Sequence, residues 1–278
     1  MKLVAFALAA VPLLAACPKP RTSAATQPTP VAFDAAKSDP KAVEVVDAAI
    51  AALGGAPAWD AVKELHFAMT LTHDGKVIIQ REHWWDRWNG RHYYVGTDVS
   101  TLGGNPDEIK AFTIKQQLFG DGVPWAAYDG GELTRGDGAK QAKQAKQHLY
   151  ADAYYLAGVY KLKDPGAILS VENAEVKMPP EIDACKPSCV SIKVTFEAGV
   201  GTNTWFFNFN NETKLPEVIE EPRGASGRIG YRFKDWVEVG GLKFPGTLQN
   251  IGMPGEVFTF SGMKVAEPDD MRYEVQVR

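Results

Sequence analysis

Residues 62–95 read VKELHFAMTLTHDGKVIIQREHWWDRWNGRHYYV, and the periods and turns within them decide the fold. Leu65, Phe67, Met69 and Leu71 alternate with Glu64, His66, Thr70 and Thr72, the period of two that marks a half-buried strand. Asp74-Gly75 and Asn89-Gly90 are two-residue hairpin dipeptides. Read as tight turns, they set Leu71 opposite Ile78, Met69 opposite Gln80, Phe67 opposite Glu82 and Leu65 opposite Trp84. The second turn then sets Asp86 opposite Tyr93 and Trp84 opposite Val95. In that register Trp84, Trp88 and Tyr93 share the apolar face of the first strand. Trp85, Tyr94, His83 and His92 turn the other way, so both faces of the meander carry aromatic rings.

Working outward, strand-like runs separated by turn signals recur from residue 110 to residue 277, the spacing of a curled or barrel-like antiparallel sheet. One helix precedes the sheet and a second interrupts it. Ser38-Asp39-Pro40 opens the first, Val43, Val46, Ile50 and Leu53 form its apolar stripe, and Gly54-Gly55 stop it. The second runs from Ala139 to Tyr160, with Ala142, Ala145, Leu149, Ala153, Leu156 and Tyr160 at helical spacing. Its first half, with Lys140, Lys143 and Lys146, is a solvated face; its second half is apolar and rich in tyrosine.

The chain has 278 residues and a net charge of −4 without a basic stripe, which argues against a nucleic-acid partner. Residues 1–16 read as a secretory signal, with Lys2 ahead of an apolar run too short to span a membrane. Leu14-Ala15-Ala16-Cys17 resembles a bacterial lipobox, which implies a Cys17 carrying acyl chains such as palmitate; the other reading is an ordinary signal with Cys17 free. Residues 17–37 then form a lipidated, Pro- and Thr-rich tether reaching roughly 50 Å, and residues 38–278 form one domain. By the same resemblance, Pro18 after the cysteine points to the outer membrane, facing the periplasm. Cys185 and Cys189 are expected to form a disulfide in that oxidising compartment, contributing on the order of 2 kcal/mol by closing a short loop. No zinc ligand flanks them in sequence.

Several segments together resemble the LolA/LolB-like lipoprotein-localisation superfamily. They are ALGG at 52–55, VKELHF at 62–67, WAAYDG at 125–130, YLAGVYKLKDPG at 155–166, WFFNFNNETKLPEVIE at 205–220 and YRFKDWVEVGGLKFP at 231–245. The resemblance implies a mainly β fold: a curved, incomplete antiparallel barrel of about 11 strands with an N-terminal helix and a central lid helix. It also implies a concave face that shelters acyl chains. Carried onto this sequence, that face comprises Leu65, Phe67, Met69, Leu71, Trp84 and Tyr93, with Leu149, Tyr154 and Leu156 on a lid at 149–160. The protruding apolar loop of LolB-like receptors has no counterpart; loop 99–108 offers only Val99 and Leu102.

Catalytic and metal motifs are missing. His66 and His83 face each other in the tight-turn register, but two histidines do not define a site, and no HExxH pattern accompanies them. GASG at 224–227 is not a nucleophile elbow, and no glycine loop fits a phosphate. The expectation is therefore a binder of a lipid, lipoprotein acyl chain or other amphipathic ligand, needing no cofactor and no metal. An interaction or sensory module contacting an envelope protein comes second, and an enzyme third. A binder should hold an apolar cavity beneath the 149–160 helix, whereas an interaction module should have that face filled by its own side chains.

Overall fold

The computed structural model describes residues 32–98, 111–118, 122–198, 203–224 and 227–274. Lipidation at Cys17, the signal segment, most of the tether and loop 99–108 lie outside the described residues. The fold is mainly β. From the middle of the sheet, β1 (Glu64–His73), β2 (Lys76–Asp86), β3 (Arg91–Asp98), β4 (Phe112–Gln117), β5 (Trp125–Tyr128) and β6 (Gly131–Glu132) step outward to one edge. A single helix, α3 (Arg135–Lys161), then carries the chain to the other edge. There β7 (Ala167–Val176), β8 (Cys189–Phe196), β9 (Trp205–Asn210), β10 (Pro216–Pro222) and β11 (Arg228–Lys234) step back inward. A small separate hairpin, β12 (Val237–Val239) and β13 (Leu242–Phe244), precedes β14 (Thr247–Asn250) and β15 (Glu256–Ala266), which pairs with β1. Among the described residues there are fifteen strands, thirteen of them in one sheet that does not close, with β6 and β7 as its edges.

Because α3 joins opposite edges, it must run across a face. Its 27 residues span about 40 Å. Side chains from β2, β9, β11 and β15 all reach it, so the sheet curls around the helix and makes that face concave. Before the sheet, α1 (Pro40–Ala52) is capped by the Asp39 carboxylate, which accepts from the Lys41 N–H, and buries Ala42, Val46, Ala49 and Ile50. A short α2 (Ala56–Asp60) follows. Gly54 between them has φ of +120°, and a Cβ there would sit 2.2 Å from the Gly241 carbonyl oxygen, so glycine is required at this close approach.

The register of the first hairpins departs from the tight-turn reading by one residue. Asp74-Gly75 does make the turn, with His73 opposite Lys76. Between it and Leu71 the pairing shifts, so that Leu71 faces Ile79, Met69 faces Arg81, Phe67 faces His83 and Leu65 faces Trp85. A bulge of this kind moves every later side chain of the strand to the opposite face. The second loop is longer than two residues because Asp86 faces Arg91 directly. The buried Asp86 carboxylate accepts from the Asn89 backbone N–H (3.2 Å), the Asn89 side chain (2.9 Å) and the Arg91 guanidinium (2.7 Å), which fixes the wider loop.

A strand was also expected at 272–277, of which residues 275–277 lie outside the described residues. Instead Asp270–Tyr273 form a helical turn, α4, with the Asp269 carboxylate accepting from the Met271 N–H. That turn lets Arg272 (2.9 Å) and Tyr273 donate to the buried carboxylate of Glu64.

Candidate functional site

The concave face is where helix and sheet meet, and its sequence origin is the changing character of α3. The Thr134 hydroxyl accepts from the Asp137 N–H to cap the helix, and Lys140 and Lys143 face solvent. Gly138, Ala142 and Ala145 turn inward on Tyr94, Ile114 and Ala126, so small residues bring this half of the helix close to the sheet. From Asp152 to Tyr160 every residue is buried. Tyr154 stacks on Trp205 (ring centroids 5.2 Å apart), Tyr155 stacks on Phe258 (4.8 Å), and Tyr160 stacks on Trp59 (4.9 Å). Burial pushes the Tyr154, Tyr155 and Tyr160 hydroxyls to higher pKa, so all three stay protonated. Tyr160 donates to the Leu53 carbonyl (2.7 Å) and accepts from the Lys243 N–H (3.1 Å), tying the end of α3 to the loop after α1 and to β13.

A chain of polar groups lies in this apolar setting. Arg81 from β2 donates to both oxygens of Asp152 on α3, at 3.1 and 3.2 Å. His83 Nε2 is 3.0 Å from Asp152 Oδ2, and His83 Nδ1 is 3.1 Å from His92 Nε2. His92 Nδ1 meets the Gln116 side-chain nitrogen at 3.0 Å, while Tyr94 Oη meets His148 Nδ1 at 3.1 Å. Exposure is 9% for Arg81, 1% for Asp152 and 0% for His83 and His92.

The proton arrangement follows from these contacts. Burial lowers the pKa of His92 well below the ordinary histidine value, and the neighbouring His83 and His148 lower it further, so His92 is neutral. Accepting from Gln116 at Nδ1, it keeps its proton on Nε2 and donates to His83 Nδ1, and His83 Nε2–H in turn donates to Asp152. Burial pushes the Asp152 carboxyl upward, but the His83 hydrogen bond and the Arg81 charge outweigh it and hold Asp152 below the usual carboxylate range. Its negative charge thus faces the Arg81 cation.

This geometry suits fastening better than chemistry. The groups are chained ring to ring and do not converge on a point where a metal or a reacting atom would sit. Among the described residues, Cys185, Cys189 and Glu217 do cluster, but the two cysteines form a disulfide and offer no thiolate. The Cys185 N–H donates to Glu217 there. A cleft of about 340 Å³ lies elsewhere, lined by Asp60, Lys63, Trp88 and Arg91 among others and by no residue of α3. Two ion pairs cross its wall, Lys63–Glu267 (2.8 Å) and Arg91–Asp270 (2.7 Å).

The residues singled out from sequence divide accordingly. Leu65, Phe67, Met69, Leu149, Tyr154 and Leu156 are buried in one core, with the half-buried Leu71 packed against it. Trp84 and Tyr93 are not on this face. The bulge at the start of β2 puts them outside with His66, which stacks on Trp84 (4.4 Å) and bonds to Glu82 (2.7 Å). The same shift dissolves the expected His66–His83 pair and brings His83, Trp85, His92 and Tyr94 inward. Arg81, Asp152 and Gln116 escaped the sequence reading. One signal was available: Asp152 lies beside Leu149, Ala153 and Leu156, a charged side chain next to an apolar helical stripe.

No family model and no curated protein matches this chain. Solved structures do. A DUF1329 family protein from Desulfovibrio piger is 12% identical with a TM-score of 0.47, covering 85% of this chain and 98% of that one. An outer membrane lipoprotein-sorting protein domain from Vibrio parahaemolyticus is 8% identical with a TM-score of 0.40, covering 80% and 91%. The Pseudomonas aeruginosa MucA/MucB complex gives 12% identity and a TM-score of 0.20, covering 84% and 61%.

Proposed function

We propose that this protein is a lipid-anchored envelope protein that shelters an apolar chain on the concave face of its sheet, in the place now filled by the second half of α3. Residues 1–16 act as the signal, Cys17 carries the anchor, and the tether to residue 37 lets the domain of residues 38–278 face the periplasm from the outer membrane. The ligand is a lipid, a lipoprotein acyl chain or another amphiphile, and no chemical step is involved.

The observation that carries this reading is the way α3 is fastened. Its second half lies against Trp205, Phe207 and Phe258, and a buried charge pair with a histidine chain joins it to β2. Buried ion pairs add little net stability compared with apolar residues of the same shape, yet they define which surfaces meet. A helix seated this way is a plug that another apolar chain can replace. Replacing Cys17 by Ser should release the protein from membranes; continued membrane association would contradict the anchor.

The test is native mass spectrometry of the protein purified from envelopes, with organic extraction of anything bound. A stoichiometric lipid supports the shelter. A clean apo mass that stays clean after phospholipid and lipopeptide are added favours the second reading, an envelope interaction module. The observation in that module's favour is that the second half of α3 fills the concave face with its own side chains, where a binder was expected to hold an apolar cavity.

A further inference from the structure

We infer that the outward face of the first half of α3 docks the domain on an anionic phospholipid bilayer. The inference takes its reach from the lipid-anchor reading of Cys17 and does not depend on the sheltered ligand. At 3.6 residues per turn, Arg135, Lys140, Lys143, Lys146, Gln147 and Tyr150 fall within an arc of about 140° around the helix. No acid shares that arc. Asp137, the one carboxylate of residues 135–150, lies outside it and accepts from the Thr134 hydroxyl at the N-cap. Arg135, Lys140, Lys143 and Gln147 are exposed, and Tyr150 keeps 47% of its surface open. Lys146 is half-buried, donates to the Leu118 carbonyl (2.7 Å) and holds its ammonium 5.8 Å from the centre of the Tyr150 ring.

These cations differ from many others on the surface. Lys41, Lys63, Lys163, Lys177 and Arg228 each meet a carboxylate at 2.5–2.9 Å. No carboxylate of the described residues pairs with Arg135, Lys140 or Lys143. Residues 135–150 carry a net charge of +3 on a chain whose total is −4. An anionic surface repels such a chain as a whole, so attraction has to come through a local face.

Each basic residue close to an anionic bilayer strengthens binding about fivefold. Tyr150 adds an amphipathic ring of the kind that settles at headgroup level. At physiological salt, with a Debye length of about 8 Å, so few charges do not hold a free domain, in keeping with the release expected of Cys17→Ser. Anchored at Cys17 on a tether of roughly 50 Å, the same face stays at a high local concentration of lipid. An acidic protein would offer the charge without that enforced proximity. Because α3 crosses the concave side of the sheet, docking on this face turns that side toward the bilayer.

The experiment is sedimentation of residues 17–278 carrying Cys17→Ser, so that no acyl chain contributes, with sucrose-loaded vesicles. One set is phosphatidylcholine alone, and the other contains about one-third phosphatidylglycerol. At about 25 mM salt, partition onto the anionic vesicles should exceed that onto the neutral ones about tenfold or more, and the difference should vanish at about 0.5 M. K140Q/K143Q should keep the fold by circular dichroism and lose about tenfold or more of the anionic partition. K76Q/K264Q removes the same charge from two exposed lysines elsewhere and should change the partition less than about threefold.

Equal partition onto both vesicles, a preference that survives in K140Q/K143Q, or an equal loss in K76Q/K264Q would each overturn the docking face. No binding to the anionic vesicles at low salt would overturn the bilayer as occupant and point to an acidic protein. An anchor that fails the Cys17→Ser test in cells leaves these partitions unchanged, so the two readings fail separately.

Discussion

The two halves of α3 meet the same sheet in opposite ways. The first rests on Tyr94, Ile114 and Ala126 through Gly138, Ala142 and Ala145, a close contact of small side chains with Lys140 and Lys143 in water, while Lys146, expected on the solvated face, is half-buried and donates to the Leu118 carbonyl (2.7 Å). The second sinks three tyrosines among Trp59, Trp205 and Phe258 in the main core. Arg81, His83, His92 and Asp152 lie between the two clusters, with Tyr94 and His148 adjoining. One continuous apolar core would have tied both halves into one cooperative unit. A polar seam instead separates the two packings, and Arg81 and His83 fasten the start of the second half to β2.

The largest effect is expected at the seam. Replacing Asp152 alone by Leu removes the buried carboxylate that Arg81 and His83 share and should cost about 3–5 kcal/mol in urea unfolding. R81M/D152L should recover part of that loss, because removing both charges leaves only the buried His83 Nε2–H without its acceptor, at about 1–3 kcal/mol. Equal losses in both variants would mean that shape, not charge, holds the helix.

The next effect is steric. Gly158 follows Ala157, whose φ of −122° breaks the regular helix, and a Cβ at Gly158 would sit 2.8 Å from Phe207 Cζ. Gly158→Ala should destabilise by about 1–3 kcal/mol although alanine favours helix. A stabilised variant would mean that the second half is seated more loosely than this contact implies.

A smaller effect is expected with pH. The folded pKa of His92 is depressed, so below the unfolded value near 6.5 the unfolded chain binds a proton that the folded one refuses. Stability therefore falls as pH falls through that range, by about 1 kcal/mol between pH 7 and 5.5 from this residue. Denaturant midpoints should follow that slope, and His92→Gln should flatten it. Asp152 adds a separate loss only in stronger acid, as pH falls through its depressed carboxylate range.

The smallest effect is on the outer face. Trp84→Ala removes a ring stacked on His66 and should leave ligand affinity unchanged. A large drop in affinity would return Trp84 to the binding surface.

Much of this fold could be read from local patterns. The period of two in Leu65–Leu71, the Asp74-Gly75 turn, the cap at Asp39 and the apolar second half of α3 are each encoded by a few neighbouring residues. The faces of β2 and β3 were not. Their orientation depends on one extra residue between Leu71 and the turn, within Val77-Ile78-Ile79, where no residue type marks a bulge. It also depends on Asp86 gathering its loop with its side chain. These two details reversed Trp84 against Trp85 and Tyr93 against Tyr94. The seam was further out of reach, because Arg81 and Asp152 meet across 71 positions of sequence. An aspartate beside an apolar helical stripe announces a buried partner without naming it.

The most direct test of the account is hydrogen exchange along α3 in the full chain, with and without a long-chain fatty acid. Amides of residues 149–161 should lose protection when the ligand binds, while those of residues 138–148 keep theirs. Ligand bound with the whole helix equally or better protected would contradict the account, because the chain would then be sheltered without displacing the plug.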